Sequence, residues 1–293
     1  MEFKNTYVSN FEGAFRGLRN PLESWYKSDS EFGLMYMDGW DSSDLPWEIS
    51  YLYCEEEGLD NDEDEDIFEE KQNNYEKWLL QNGILRQFND CLEYAYIGPK
   101  DLDLAHRMIK AGVSDSKFLR QINVSVDITA PLYWWKEFDT YKIGTVANST
   151  STMHKLATTP ITLNCFEITD YNSDLPVDKI DQSNVVDSDF IDHWHIDIFS
   201  EKLIEQLEDL RQMYIKTKDK RYWKELVRWL PNGWLQTRTI TMNYAVLRNI
   251  YFQRQHHKLS EWHQFCDWVE SLPYADDLII YTKEKDKNYI YYR

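Results

Sequence analysis

Glycine is scarce, with 10 residues in a chain of 293. No G-x-S-x-G, P-loop or Rossmann glycine pattern appears, so few loops are suited to cradling a phosphate through the backbone. Proline is as sparse, at 8 residues, and no Pro/Gly/Ser-rich linker divides the chain. The four cysteines, Cys54, Cys91, Cys165 and Cys266, show no C-x-x-C spacing. That argues against a zinc site or a disulfide framework, and a reducing, cytoplasmic location is the expectation. No run of 18 apolar residues exists, which argues against a transmembrane helix. The opening "MEFKNTYVSNFEGAF" lacks the basic start and apolar core of a signal peptide. Basic residues are in the minority, 32 Lys and Arg against 51 Asp and Glu. This disfavours general nucleic-acid binding, which depends on excess positive charge.

Aromatic residues are abundant, with 12 Trp and 20 Tyr, and they support a packed core. The formal charge of −19 is unevenly spread, because "EEEGLDNDEDEDIFEE", Glu55 to Glu70, carries 11 acidic residues and no base. Such a run reads first as a solvated loop, with cation binding or mimicry of a nucleic-acid backbone as lesser alternatives. The remaining chain is only moderately acidic and leaves room for a locally basic pocket for a small anion.

Patterning gives helices with a few strands in no strict alternation, the signature of an α+β fold. A short helix is expected over Asn10 to Arg19, and irregular chain from Ser28 to about Asp66. "EKQNNYEKWLLQNGILRQFNDCLEYAY" has helical apolar spacing, and "DLDLAHRMIKAG" reads as a helix capped by Asp101 and stopped by Gly112. "INVSVDIT" alternates Ile122, Val124, Val126 and Ile128 and predicts a strand. After Pro131 the segment "LYWWKEF" predicts a helix, and residues 150 to 195 read as loop with short strands. Helices follow at "SEKLIEQLEDLRQMYIKT", with Ser200 as cap, at "RYWKELVRWLP", and at "LSEWHQFCDWVESL". The expectation is a single domain over 1–293, interrupted by an acidic, aromatic-rich insertion at about 28–97.

"TITMNYAVLRNIYFQRQHHK", Thr239 to Lys258, reads as an apolar helix that carries Asn243, Asn249 and Arg254. At ~100° per residue, Asn243, Leu247, Ile250 and Arg254 share one stripe. A guanidinium on an apolar stripe requires a partner or a solvated helix end. With the preceding Leu230-Pro231, this stretch resembles the flavin-dependent thymidylate synthases, which carry a Leu-Pro before an Asn-Ala-Arg motif on a helix with a second Asn and a catalytic Arg. Asn243, Asn249 and Arg254 fall on those three positions, while Ala245 stands where the motif has Arg. "APLYWWKEFDTYKIGTVANST" lies over the family's Arg-Gln-Trp…Arg-His-Arg…Ser signature, with Lys136, Glu137 and Phe138, then Thr140, Tyr141 and Lys142, then Thr145 at the matching positions. Ser114 stands where a flavin-contacting His would be, and Arg16 and Arg19 of "AFRGLRN" take the two Arg positions of an early helix.

The resemblance implies a flavin-dependent thymidylate synthase-like fold in a homotetramer, with active sites at subunit interfaces. It implies FAD as cofactor, NADPH and methylenetetrahydrofolate as co-reactants if active, and dUMP as the pyrimidine nucleotide ligand. It places Arg254 as the catalytic group that polarises the pyrimidine. Asn249, Arg228, Lys142 and Lys136 become nucleotide contacts, and Asn243, Arg16 and Arg19 cofactor contacts. Replacing Arg-His-Arg by Thr140, Tyr141 and Lys142 removes paired, charge-assisted bonds to a diphosphate, each ~1.5–3 kcal/mol. Three readings stay open: a divergent flavoenzyme transferring a one-carbon unit to C5, a nucleotide-binding relative or pseudoenzyme, and an interaction protein that reuses the fold. Separately, His193, His195 and Asp197 would share one face of an extended segment as a metal cluster, against the plainer reading of an aromatic strand. His256 and His257 could touch a phosphate or sit at a solvated helix end, and Trp262 reads as packing.

Overall fold

The computed structural model describes residues 1–36, 84–88, 91–168 and 196–282, with positions 74, 75, 77 and 79 between them. The acidic run Glu55–Glu70 and the pair His193 and His195 lie outside the described residues. In chain order β1 (Glu2–Ser9) leads to α1 (Phe11–Arg19), then to short 3-10 turns at Asn20–Leu22 and Trp25–Lys27 and to β2 (Glu31–Tyr36). Next come β3 (Leu85–Phe88), β4 (Cys91–Tyr96), α2 (Pro99–Ala111), β5 (Asn123–Pro131), α3 (Leu132–Phe138), β6 (Val146–Ser149) and α4 (Thr152–Thr158). The last described stretch holds α5 (Ile196–Thr217), α6 (Lys220–Trp229), β7 (Leu235–Asn243), α7 (Tyr244–Arg254), α8 (Ser260–Glu270) and α9 (Ala275–Leu278). The chain is a mixture of helix and sheet, with strands ordered β1-β5-β7-β6 in one sheet and β2-β4-β3 in the other.

The β5 strand forms where alternation places it, and Val124, Val126, Ile128 and Ala130 are all fully buried. Gly112 ends α2 at a φ of 124°, which glycine adopts readily. Several expectations are corrected. Leu85–Phe88 and Cys91–Tyr96 form antiparallel strands with Phe88 opposite Cys91, not a helix. Leu92, Tyr94 and Tyr96 also fit a period of two. Glu31–Tyr36, expected to be irregular, pairs with the other edge of β4. Thr239–Asn243 ends a strand and does not start the helix, since β-branched Thr237, Thr239, Ile240 and Thr241 favour extended backbone.

Two helix starts also move, and one helix stands where none was expected. α2 begins at Pro99, so Gly98 is its cap and Asp101 sits buried in its first turn. α5 begins at Ile196, ahead of Ser200, so Asp197 lies in a helix and not in an extended segment. Within the region read as loop with strands, Thr152–Thr158 is a helix whose cap Ser151 accepts a bond from the His154 N–H.

The chain divides into two compact units, and β1, β5, β6 and β7 each contribute residues to both. The first comprises Met1–Asn5, Val126–Lys142 and Ala147–Ile240. Its core gathers Leu156, Ile161, Phe166, Leu207, Leu226 and Trp234. Asp127 ties its strands together, accepting from Asn5 at 2.7 Å and from the Thr239 hydroxyl at 2.5 Å. Those bonds, the Thr239 one first, lower the Asp127 pKa below its ordinary value.

The second unit comprises Thr6–Ser125, Ile143–Val146 and Thr241–Arg293. Its core is aromatic: Phe11 meets Tyr244 and Tyr274 edge-on at 5.8 Å, and Trp262 meets Phe265 at 5.6 Å. Edge-to-face pairs add about 0.5–1.5 kcal/mol each beyond burial. The buried Tyr244 hydroxyl donates to the Pro273 carbonyl at 2.5 Å. Tyr274 accepts from the Ile97 N–H at 3.0 Å and donates to the Ala95 carbonyl at 2.9 Å, fastening the end of β4.

Candidate functional site

In the second unit, α7 and its cap carry Asn243, Asn249 and Arg254. Asn243 caps it, accepting a bond from the Val246 N–H at 3.1 Å and satisfying one of the free donors of the first turn. Gly144 approaches the same turn at a φ of 77°, where an added Cβ would lie 2.9 Å from Val246 Cγ2 and 3.2 Å from Asn243 Nδ2. Leu247 and Ile250 are fully buried, so the apolar stripe is core. Arg248 donates to the carbonyls of Ile279 and Tyr281 at 2.6 and 2.7 Å, and its burial lowers its pKa from the ordinary value. Asn249 is exposed and accepts from Gln253 at 2.9 Å.

Arg254 ends the helix, half-buried, with its guanidinium carbon 4.6 Å from the centroid of the fully buried Trp262 ring. A cation at a helix C-terminus is favoured by the dipole, and stacking on Trp adds about 0.5–2 kcal/mol. His257, 6.1 Å from the same ring, accepts from the Leu259 N–H at 3.2 Å, while His256 is exposed. Along α7, Asn243 and Arg254 share a face but lie about 16 Å apart, and Asn249 is turned about 140° from Arg254. One small ligand therefore cannot touch all three within a single copy.

Arg16 is exposed, with its guanidinium carbon 5.3 Å from the Trp25 ring centroid. Arg19 is buried, its Nε 2.5 Å from Asp101 Oδ1. Asp101 Oδ2 accepts in addition from the hydroxyls of Ser28 and Ser30 at 2.5 and 2.6 Å. Contact between Arg19 and a cofactor would therefore require breaking a buried ion pair.

The other predicted cations belong to the first unit. Lys136 is exposed and donates to Asn232 at 2.7 Å, Lys142 is exposed, and Arg228 on α6 pairs with Glu225. The Thr140 hydroxyl donates to the Glu137 carbonyl at 2.7 Å, which turns it to its own backbone. Sequence reasoning missed Arg238. Its guanidinium carbon lies 4.2 Å from the Trp135 ring centroid, its Nη1 donates to Asp139 at 2.7 Å and its Nε to Gln236 at 3.0 Å. Gln236 in turn donates to the Thr150 carbonyl and the Thr152 hydroxyl at 3.0 and 3.1 Å. The available signal is the strand period of "LQTRTITM", which the helical spacing of the residues after it conceals.

No family model and no curated protein matches the chain. Among solved structures, the chain is similar to the crystal structure of Thymidylate Synthase X (ThyX) from Helicobacter pylori with FAD and dUMP. That match has 14% identity and a TM-score of 0.49, and it covers 95% of this chain and 97% of the other. A second structure, flavin dependent thymidylate synthase ThyX from Helicobacter pylori complexed with FAD and dUMP, has 17% identity and a TM-score of 0.40, over 62% of this chain and 82% of that one. Among the described residues no group of three or more His, Cys, Asp and Glu could hold a metal ion, and no helix is long and apolar enough to cross a membrane.

Proposed function

We propose that this chain is a nucleotide-binding protein of the flavin-dependent thymidylate synthase type, taking a pyrimidine deoxynucleotide such as dUMP. The observation that carries the reading is the Asn243–Asn249–Arg254 spacing on α7 and its flanking strand end, with Arg254 as the last helical residue, backed by Trp262. A guanidinium held from behind by an aromatic ring is pre-oriented for planar, paired hydrogen bonds, the geometry a uracil carbonyl edge or a phosphate accepts. Because Asn249 and Arg254 face apart on one helix, a shared ligand calls for a second copy, and the reading includes a cytoplasmic homo-oligomer with a site completed across subunits.

The residues present do not fit a tightly held FAD. A flavin diphosphate needs paired cations, and of the expected contacts Arg19 is locked to Asp101 and Asn243 caps α7, which leaves Arg16 as a single exposed cation, while Thr140, where the resemblance has an Arg, bonds to its own backbone. The chain is thus a binder in the first instance, with one-carbon transfer from methylenetetrahydrofolate and use of NADPH belonging to the alternative of an active flavoenzyme.

The test combines two measurements on the purified chain. The absorbance spectrum is recorded after incubation with FAD and gel filtration, and dUMP is titrated by calorimetry into wild type and Arg254→Ala. A colourless protein that binds dUMP through Arg254 is expected. Retained flavin bands would move the reading to the active enzyme. Equal dUMP affinity in both chains would remove the basis for it.

A further inference from the structure

Within the second unit, residues of the α1 end, the Asn20–Lys27 turns and α2 from Pro99 to Met108 line an open cavity of about 670 Å³. That volume falls within the ~300–1,000 Å³ of small-molecule sites. None of its lining residues comes from α7 or α8, so it is separate from Arg254 and independent of the function proposed above. Leu104 and Met108 form an apolar wall, and Leu22 and Tyr26 stand at the same cavity with relative exposures of 85% and 81%. Large apolar side chains left this open around a concavity mark a surface that gains from being covered.

The charge of the cavity decides what covers it. Four cations line it, but two are balanced locally: Arg19 by Asp101, and Arg107 by Asp103 at 3.0 Å. Lys27 and Lys100 are exposed, and neither forms an ion pair among the described residues. The Lys27 ammonium stands 5.6 Å from the Tyr26 ring centroid. The start of α2 contributes no free backbone donors at Lys100 and Asp101, because the Asp29 carboxylate already accepts from those two N–H groups at 2.9 and 3.2 Å. The positive character therefore resides in two ammonium groups on flexible stems. On a chain of formal charge −19 they set a local field opposite to that of the whole molecule.

We infer that this cavity is a binding site for an organic anion with an apolar body. The body lies against Leu22, Tyr26, Leu104 and Met108, and the charge faces Lys27 and Lys100. An ammonium is a point donor that accommodates carboxylate and phosphate alike, so the shared chemistry is an apolar monoester or acid.

The intact chain is titrated by calorimetry with naphthyl phosphate, naphthoate and inorganic phosphate. The titrations are repeated on the Lys27→Glu/Lys100→Glu variant. Both lysines are exposed, so the charge-reversed chain keeps its fold, checked by circular dichroism. Saturable binding of a naphthyl ligand is expected, weakened at least about tenfold in the charge-reversed chain. The tighter of the two naphthyl ligands identifies the anion. The inference is overturned by binding that survives charge reversal, by inorganic phosphate binding as tightly as the naphthyl ligands, or by no saturable heat from either naphthyl ligand at about 1 mM.

Discussion

Arg19 and Asp101 show how a residue's chemistry is settled by a distant partner. The two side chains are 6% and 0% exposed, and Asp101 completes its coordination with the Ser28 and Ser30 hydroxyls. Removing one member of such a pair leaves a buried charge uncompensated, so Arg19→Met is expected to lose about 3–5 kcal/mol in urea unfolding. If Arg19 instead served a diphosphate, its loss would leave stability in place and lower FAD affinity. Arg254→Ala carries the opposite expectation. Its cation–π contact is worth only about 0.5–2 kcal/mol of stability, whereas dUMP affinity should fall by about tenfold to a hundredfold or more. Calorimetry and a thermal melt on the same sample separate the two. The place of Arg254 at the end of an apolar helix was legible in the sequence because the period that sets it is local to α7. The Arg19–Asp101 and Arg238–Asp139 pairs were not, since their partners lie 82 and 99 residues apart.

At the scale of elements, the junction of β7 and α7 is where sequence patterning failed and where its chemistry is densest. The apolar residues of "TITMNYAVL" satisfy a helical period, yet β-branched side chains hold the first part extended and Asn243 starts the helix. The same ambiguity hid the β3–β4 pair, whose apolar residues fit both periods. The β5 strand was legible because its alternation is strict and its inward face is wholly buried. If Asn243 acts mainly as a cap, Asn243→Ala should cost about 1 kcal/mol, while Asn243→Asp, which keeps an acceptor oxygen, should be nearly neutral. Equal losses in the two variants, read from urea midpoints, would instead assign Asn243 a role that needs its amide. Gly144→Ala probes the same junction from the other side. A positive φ and a close approach to Val246 predict a loss of more than about 1 kcal/mol.

For the whole molecule, the excess of acid makes the response to pH a test of which carboxylates are structural. Glu208 on α5 accepts from Arg211 at 2.5 and 2.7 Å, from the Ile161 N–H at 2.8 Å and from Gln212 at 2.7 Å. Arg211 is itself buried, and its bonds to Glu208 bring the carboxyl down from 4.5 to about 2. A lowered folded-state pKa means that the unfolded chain takes up the proton first as pH falls. The contribution is therefore complete above about 4.5, and it is lost progressively until pH reaches about 2. At 1.36 kcal/mol per pKa unit the full contribution is at most about 3 kcal/mol, of which about 2 kcal/mol is gone by about pH 3. Glu208→Gln cannot titrate and should lower stability near neutrality while flattening its decline across this window. Urea unfolding of both chains at pH 7 and about pH 3 measures the difference. Parallel losses in wild type and variant would place the acid sensitivity in other carboxylates and reduce Glu208 to a neutral hydrogen-bond acceptor in the α5 packing.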